Sequence, residues 1–249
     1  MTNTLGFQLF ALKSFEGGWG AAFEAVKSLG VDTIEVWGGA VPSEPDGKSL
    51  TPAGLRQLLS DHDMKLTCGH LSVADYDNRY DEWKDLLLDF GSKTWVIPFA
   101  KAETLDEWLS MLPKWREMAA RLAQDGLKLG YHNHHMELVK LGEKYVMEHL
   151  LDNMENLQGQ FHIGQFLPER GVALPDWIKK YEGRVCALHL NDTNADGPTR
   201  LGEGTCRAEE SIRTALDTGV DTYIAEIMLT EETLDGVKRD IEFARSLIG

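Results

Sequence analysis

Short apolar runs alternate with longer amphipathic segments over almost the whole chain. The short runs have the length of buried β-strands, and the longer segments repeat apolar residues with the three- and four-residue spacing of helices. Eight strands are predicted, at residues 6–12, 33–37, 65–70, 94–99, 128–132, 158–162, 185–190 and 222–227. Eight helical segments are predicted, at residues 19–29, 51–62, 81–90, 104–124, 143–151, 175–181, 208–218 and 231–247.

This alternation predicts an α/β protein with a parallel sheet, because each strand is followed by a helix that brings the chain back. An open doubly wound sheet is the alternative, but no GxGxxG follows the first strand, and eight units match a closed (β/α)₈ TIM barrel. We see no linker and expect one domain over residues 1–249. The loop-like stretches 38–48 and 191–205 each follow a strand, on the face where barrel enzymes keep their catalytic residues.

Composition narrows the class of partner. The formal net charge of −15 argues against nucleic acid, which needs a basic stripe, and makes a strongly anionic substrate less suitable. Cys68, Cys186 and Cys206 are odd in number and have no CxxC spacing, so we expect reduced thiols. Without a signal-like start or an apolar run of membrane length, we expect a cytoplasmic protein that binds a small carbohydrate and no membrane. The sequence leaves a homo-oligomer open.

Polar residues gather where the predicted strands end. Six of the eight histidines lie at strand ends or directly after them; only His62 and His149 fall in predicted helices. The polar residues at or after the strand ends are Gln8, Glu35, His70, His132, Asn133, His134, His135, Glu137, His162, His189, Asp192 and Glu226. The carboxyl ends of barrel strands meet at one mouth, so this pattern predicts a polar site there.

A single strand-end histidine is usually a hydrogen-bonded structural residue, whereas a carboxylate that ends an apolar strand needs a partner. His162, His189 and Glu226 end three consecutive strands and should converge on the barrel axis. Imidazole nitrogens beside a carboxylate are typical ligands of a first-row transition metal. The sequence therefore predicts a divalent-metal site.

Several segments resemble one known group of barrels. They read GFQLFALKS at 6–14, IEVWG at 34–38, GYHNHHME at 130–137, FHIGQ at 161–165, KKYEGRVCALHLND at 179–192, RLGEGT at 200–205 and AEI at 225–227. Together they resemble the xylose isomerase-like TIM-barrel superfamily, often described as sugar phosphate isomerases/epimerases, and the YHNH sequence is typical of one branch. That superfamily includes ketose 3-epimerases, hydroxypyruvate isomerase, inosose and 3-dehydroshikimate dehydratases, and endonuclease IV.

The resemblance implies a metal held by Glu, Asp, His and Glu from strands five to eight. His189 and Glu226 match the last two positions. His162 stands where the family has Asp, and His132 best matches the strand-five Glu, although the alignment could slide to Tyr131. A His₃Glu set would favour Mn, Zn, Co or Fe over Mg, which prefers oxygen ligands.

The reaction implied is isomerisation or epimerisation of a sugar or keto-sugar through an enediolate. It requires a base on each side of the reacting carbon, and a metal lowers the cost of the developing charge. Glu226 is the expected acid/base on one face, as well as a ligand, with Glu137 or His134 on the other.

Four further residues are expected to bind substrate. Glu35 and His70 would contact hydroxyl groups, and Trp37 would stack on a sugar ring, although plain packing is the alternative for an aromatic residue. Arg200 is the nearest base for an anionic group, because Asn191 replaces the Lys of the family's HLKD motif.

Two other functions stay open. A dehydratase of the inosose or 3-keto-sugar type would use the same residues, because the enolate can expel a β-hydroxyl group. A non-catalytic sugar-binding barrel that has lost the metal would keep only the fold, since function depends on the site. Endonuclease activity needs a basic DNA track, and the acidic composition argues against it.

Overall fold

A computed structural model describes residues 2–38 and 50–249, so most of the predicted 38–48 loop lies outside the described residues. Eight parallel strands close into a barrel in the order β1-β8-β7-β6-β5-β4-β3-β2. The strands are β1 Thr4–Gln8, β2 Thr33–Trp37, β3 Lys65–His70, β4 Thr94–Ile97, β5 Lys128–His132, β6 Gln158–His162, β7 Val185–Leu190 and β8 Thr222–Ala225. The predicted (β/α)₈ TIM barrel is confirmed.

Five of the predicted strands have the predicted bounds, because a buried parallel strand is an apolar run with clear polar ends. β1 ends at Gln8 rather than at residue 12, since Leu9–Leu12 form a 3₁₀ turn that the Gln8 side chain caps. β4 and β8 end two residues before their predicted ends. Glu226 therefore lies just beyond its strand, at the barrel mouth.

Nine helices surround the described barrel. They are α1 Gly18–Ser28, α2 Pro52–Asp61, α3 Val73–Asp89, α4 Leu105–Ser110, α5 Leu112–Gln124, α6 Val146–Asp152, α7 Leu174–Lys180, α8 Ala208–Asp217 and α9 Leu234–Ile248. α3 begins eight residues earlier than predicted, because Ser72 and Asp75 form a capping box. The predicted 104–124 helix is two helices that meet at Met111, since Pro113 lacks the N–H that a continuous helix requires.

The apolar core lies mainly between the sheet and the helices, where Trp83, Trp95, Trp108 and Trp115 are fully buried. Inside the barrel a small apolar cluster of Cys68, Val96, Ala187 and Ile224 fills the middle. Polar side chains occupy the barrel interior towards the carboxyl ends of the strands. All three cysteines are free thiols. Within residues 2–38 and 50–249, no helix has both the length and the apolarity needed to cross a membrane.

Candidate active site

Four side chains from neighbouring strands meet at the carboxyl-terminal mouth of the barrel. His132 and His162 are the last residues of β5 and β6, His189 lies on β7, and Glu226 follows β8. His162 and His189 are direct register partners, which places their side chains at the same height. Each of the four offers one donor atom, and all of these atoms lie within 4.8 Å of one another. The structure thus brings together all four residues that the sequence suggested as metal ligands.

The separations within this cluster fit a tetrahedral ion. His162 Nδ1 lies 3.2 Å from His132 Nε2 and 3.2 Å from Glu226 Oε2, and His189 Nδ1 lies 2.8 Å from the same oxygen. Two ligand atoms about 2.05 Å from a tetrahedral zinc ion are roughly 3.3 Å apart. The three distances between ligand atoms are therefore close to those of a metal site, and imidazole nitrogens with a carboxylate suit a transition metal.

A buried polar layer lies directly beneath the cluster. Glu35, which is fully buried, accepts hydrogen bonds from Gln160 Nε2 at 2.6 Å and from Gln8 Nε2. Its Oε2 atom lies 2.7 Å from His189 Nε2, at ion-pair distance although outside hydrogen-bond geometry. Gln160 Oε1 accepts from both His132 Nδ1, at 2.9 Å, and His70 Nε2. Every member of this layer is thus held by at least two polar partners.

Glu35, His70 and His189 form a second group close enough to hold an ion. The first two already have protein partners, since Gln8 Nε2 contacts His70 Nδ1 at 3.2 Å and also donates to Glu35. The His70 ring stacks on His189, with the ring centroids 5.1 Å apart. This lower group is better explained as the support that orients the upper cluster.

Burial and charge act in opposite directions on the cluster. Although burial disfavours the imidazolium form, the carboxylates of Glu35 and Glu226 raise the pKa of His189 to about 10. Burial also opposes ionisation of Glu226, but His162 and His189 lower the pKa of that carboxyl to about 2. Burial lowers the pKa of His162 to about 4, even though Glu226 opposes this shift. Burial and the neighbouring rings lower the pKa of His132 well below its usual value. In the metal-free protein, a neutral His132 and His162 therefore face a His189–Glu226 ion pair.

The structure buries Glu35 and His70, the two residues expected to bind substrate hydroxyl groups, and their role in substrate binding stays a prediction. Glu35 is fully buried and His70 is 4% exposed, and both point into the polar layer beneath the cluster. Their polar atoms contact His189 and Gln160. These two residues hold the histidines of the cluster.

Glu137 does not occupy the position expected of a base. It is fully buried, and its carboxylate accepts hydrogen bonds from the Tyr131 hydroxyl at 2.6 Å and from the His134 backbone N–H at 2.7 Å. Tyr131 faces away from the barrel axis and stacks on Trp115 of α5. Glu137 therefore fixes the loop after β5 from outside the barrel.

His134, the other residue suggested as a base, lies at the edge of the cluster. Its ring packs edge-on against His132, with centroids 4.9 Å apart, and also contacts the half-exposed Phe99. Its buried Nδ1 atom has no hydrogen-bond partner within the described parts of the chain. Burial lowers the pKa of His134, so the ring is neutral and able to accept a proton.

Arg200 is directed away from the cluster, and its expected role in binding an anionic group is not supported. Its guanidinium pairs with the buried Asp240 of α9 at 3.0 Å. The pair attaches the loop after β7 to the last helix. Trp37, by contrast, ends β2 at the mouth, is only partly buried and packs edge-on against Phe10, so it remains available for a sugar ring.

Three polar residues without a role in the sequence argument support the site. Gln160 bridges Glu35 to His132, and its position two residues before His162 on one strand could have indicated an inward side chain. Asn133 Oδ1 accepts from the His162 backbone N–H at 3.0 Å. Asn191 contacts the His162 ring through its side-chain amide. No sequence signal identifies the partners of the two asparagines, because those contacts cross between strands.

Asp192 explains the Asp and LGEG parts of the matching segments. Its Oδ2 atom accepts from the backbone N–H groups of Gly202 and Gly204, each at 3.1 Å. A Cβ atom on Gly204 would lie 2.1 Å from Asp192 Oδ1, so the close approach requires glycine. This contact folds the 191–205 loop back against the end of β7.

A cavity with a volume of about 430 Å³ lies at the opposite end of the barrel. It is lined by residues from the amino-terminal ends of the strands, among them Thr4, Thr94 and Lys128. In TIM barrels that end contributes to stability, whereas catalysis takes place at the other mouth. We therefore locate the site by the convergent side chains rather than by this cavity.

A comparison of the sequence with protein-family models finds no match. No curated protein is significantly similar. Solved structures give clear fold matches, including a sugar phosphate isomerase/epimerase from Parabacteroides distasonis, with a TM-score of 0.79 and 16% identity over 100% of this chain and 96% of that one. A probable 3-DHS dehydratase, AsbF of Bacillus anthracis, matches with a TM-score of 0.72 and 15% identity over 97% and 98% of the two chains.

The IolI protein, solved with a bound zinc atom, matches with a TM-score of 0.72 and 14% identity over 98% of this chain and 96% of that chain. At these identities the likeness establishes the fold. The chain thus has the fold of the xylose isomerase-like TIM barrels, as the matching segments predicted.

Proposed function

We propose that this protein is a divalent-metal-dependent isomerase or epimerase that acts on a sugar or keto-sugar through an enediolate. The observation that carries the proposal is the meeting of His132, His162, His189 and Glu226 at the barrel mouth, with separations that suit a tetrahedral ion. A buried polar layer holds this cluster from below, which is the support that metal ligands require.

The cation would bind within this cluster. Imidazole nitrogens beside one carboxylate favour Zn, Mn, Co or Fe over Mg, because Mg prefers an all-oxygen shell. A zinc atom in the IolI protein, which has the same fold, supports this choice. When bound, the ion would polarise the substrate carbonyl group and stabilise the negative charge of the enediolate.

Proton transfer is assigned to Glu226 and His134. Glu226 is 21% exposed at the mouth, so a substrate can reach its carboxylate. His134 is neutral, lies beside His132 and has an unpartnered ring nitrogen within the described chain. These two groups supply a base on either side of a carbon held between them. Trp37 borders the same mouth and would pack against the apolar face of the sugar.

The test begins with elemental analysis of the purified protein. Proton exchange in deuterated water is then measured against a panel of ketoses and 3-keto sugars. We expect one divalent ion per chain and reversible exchange at the carbon next to the carbonyl group. Glu226→Gln is the matched variant, because it keeps the size of a partly exposed side chain and removes the charge.

Each result has a distinct meaning. Exchange accompanied by irreversible loss of water would replace the isomerase with a dehydratase of the AsbF type. A metal-free protein that leaves every sugar unchanged would contradict the proposal and indicate a non-catalytic barrel. Equal exchange in the wild type and Glu226→Gln would contradict the role given to Glu226.

A further inference from the structure

The hydrogen bonds behind the cluster determine which ring nitrogens carry protons. An amide or carboxylate oxygen only accepts and an amide NH₂ group only donates, so a buried partner fixes the tautomer of the histidine it touches. His132 and His162 both have a side-chain amide as such a partner. A second contact fixes the orientation of each amide.

The amide behind His132 prepares that ring to bind a metal. Gln160 Nε2 donates to Glu35 Oε1 at 2.6 Å, which turns Gln160 Oε1 towards His132 Nδ1 at 2.9 Å. His132 Nδ1 must therefore carry the proton. Its Nε2 atom, which faces the cluster, presents a lone pair.

His189 is prepared in a similar way. The Glu35 carboxylate lies behind the ring, 2.7 Å from Nε2, and favours a proton on that nitrogen. The Nδ1 atom, which faces Glu226 in the cluster, would release its proton when an ion binds and then present a lone pair. A carboxylate behind a histidine ring is the usual support for a ligand of a metal.

The amide behind His162 places the proton on the ring nitrogen that faces the cluster, whereas the amide behind His132 places it on the nitrogen that faces away. Asn191 Oδ1 accepts from the Gly164 backbone N–H at 2.8 Å, so Asn191 Nδ2 faces His162 Nε2 and donates to it. His162 Nε2 must therefore be the acceptor, and the proton resides on Nδ1. That nitrogen is the one that faces the cluster, 3.2 Å from both His132 Nε2 and Glu226 Oε2.

We infer that Asn191 is a positioning residue that holds His162 as a hydrogen-bond donor and withholds it from the metal. The cation is then held by His132, His189 and Glu226, and three protein ligands with an open position are typical of catalytic zinc sites. His162 Nδ1–H points at the same centre and is placed to donate to a substrate oxygen. The inference rests on the proposed function for the bound ion and the substrate, whereas the tautomer is a property of the metal-free protein.

The tautomer is tested directly by NMR. Protein labelled with ¹⁵N-histidine and stripped of metal is examined by long-range ¹H–¹⁵N correlation, in which protonated and unprotonated ring nitrogens have well-separated shifts. The His162 signals are assigned by their loss in His162→Gln. We expect a protonated Nδ1 and an unprotonated Nε2 for His162. A protonated Nε2 would overturn the inference whether or not the protein binds a metal.

The consequence for the metal is tested by zinc competition with a chromophoric chelator. In Asn191→Asp, one carboxylate oxygen can keep the Gly164 contact while the other accepts from His162 Nε2–H, which frees the Nδ1 lone pair. We expect zinc to bind about 10- to 100-fold more tightly, the usual size of such supporting contacts. His162→Gln alone should weaken binding by less than about tenfold, whereas Glu226→Gln should weaken it by more than about 100-fold.

The new carboxylate also attracts a cation through its charge alone. Asn191→Asp is therefore repeated in the His162→Gln background, where only the charge effect remains. A clearly smaller gain in that background supports the inference. Equal gains in both backgrounds, or an equal loss for His162→Gln and Glu226→Gln, would overturn it. A wild-type protein that binds no zinc would contradict the proposed function instead, while the NMR result would still decide the tautomer.

Discussion

The Tyr131–Glu137 hydrogen bond offers a clean test of the structural role assigned to Glu137. Tyr131 is fully buried, stacks on Trp115 with ring centroids 5.2 Å apart, and donates its hydroxyl proton to Glu137 Oε1 at 2.6 Å. Tyr131→Phe keeps the ring, its volume and the stack. The variant therefore removes one donor and leaves a buried carboxylate oxygen without a partner.

The expected cost follows from the chemistry of that bond. A hydrogen bond to a charged group contributes about 1.5–3 kcal/mol, and a buried acceptor that loses its donor keeps the full cost of its desolvation. The His134 backbone N–H still donates to the other oxygen at 2.7 Å, so we expect a loss of about 2 kcal/mol. In a chain of this length each 1 kcal/mol lowers Tm by roughly 2–4 °C, which gives a fall of roughly 4–8 °C.

Urea denaturation of the wild type, Tyr131→Phe, Glu137→Met and the double variant measures this interaction. Glu137→Met costs the His134 N–H its acceptor in the single and the double variant alike, but the double variant leaves no unpaired Tyr131 hydroxyl or Glu137 oxygen. Its loss of unfolding free energy should therefore be smaller than the sum of the two single losses. Strictly additive losses, or a Tyr131→Phe variant within about 0.5 kcal/mol of the wild type, would refute the reasoning. Glu137 would then be free to serve as the base that the sequence suggested.

Three further outcomes are expected. Burial lowers the pKa of His162 from 6.5 to about 4, so the unfolded chain takes up a proton first as the pH falls. The metal-free protein should therefore lose stability as the pH falls from 6.5 towards 4, and this residue should account for roughly 3 kcal/mol of the loss. His162→Gln should reduce this pH dependence of the unfolding free energy, measured by urea denaturation. Arg200→Met should lower stability by about 2 kcal/mol in thermal denaturation, since the buried Asp240 loses its charged partner and keeps only the Leu201 backbone N–H, yet leave zinc affinity unchanged. Zinc at 100 times its Kd should stabilise the wild type by about 2.7 kcal/mol in the same assay, and Glu226→Gln should abolish the gain.

The sequence predicts the barrel well because each strand is a buried apolar run between polar ends. It predicts helix bounds less well where local chemistry decides them. The capping box at Ser72 starts α3 far upstream of the apolar repeat, and Pro113 interrupts a repeat that continues on both sides. Both residues can be read in the sequence, but a prediction from the spacing of apolar residues alone does not take helix caps or proline into account.

The sequence also predicts some features of the site well and others poorly. Strand ends locate His132, His162, His189 and Glu226, because parallel strands of a barrel end at one mouth. The level of Glu35 along the barrel axis depends on the stagger of β2 against β1, where it pairs with Gln8. A sequence pattern carries no information on that stagger. The directions of Glu137 and Arg200 depend on Tyr131 and Asp240, contacts that a linear pattern cannot reveal for a loop.

The buried position of Glu35 allows its carboxylate to balance part of the charge of a bound cation. The cluster carries one carboxylate, Glu226, which cannot by itself balance a divalent cation. Glu35 lies fully buried beneath the cluster, 2.7 Å from His189, and supplies a second negative charge without contacting the mouth. Two buried carboxylates and one divalent ion then leave the site neutral, which a low-dielectric interior favours.

Glu35→Gln tests this balance, because it keeps the shape of the side chain and removes the charge. We expect zinc affinity to fall by about 10- to 100-fold in chelator competition, as for other groups that support a metal ligand from behind. Glu137→Gln is the matched control, since Glu137 is equally buried but faces outward. Equal effects of the two substitutions would mean that general destabilisation, rather than charge beneath the cluster, controls the affinity. A fall confined to Glu35→Gln would mean that the layer below supplies the second negative charge that the cluster itself lacks.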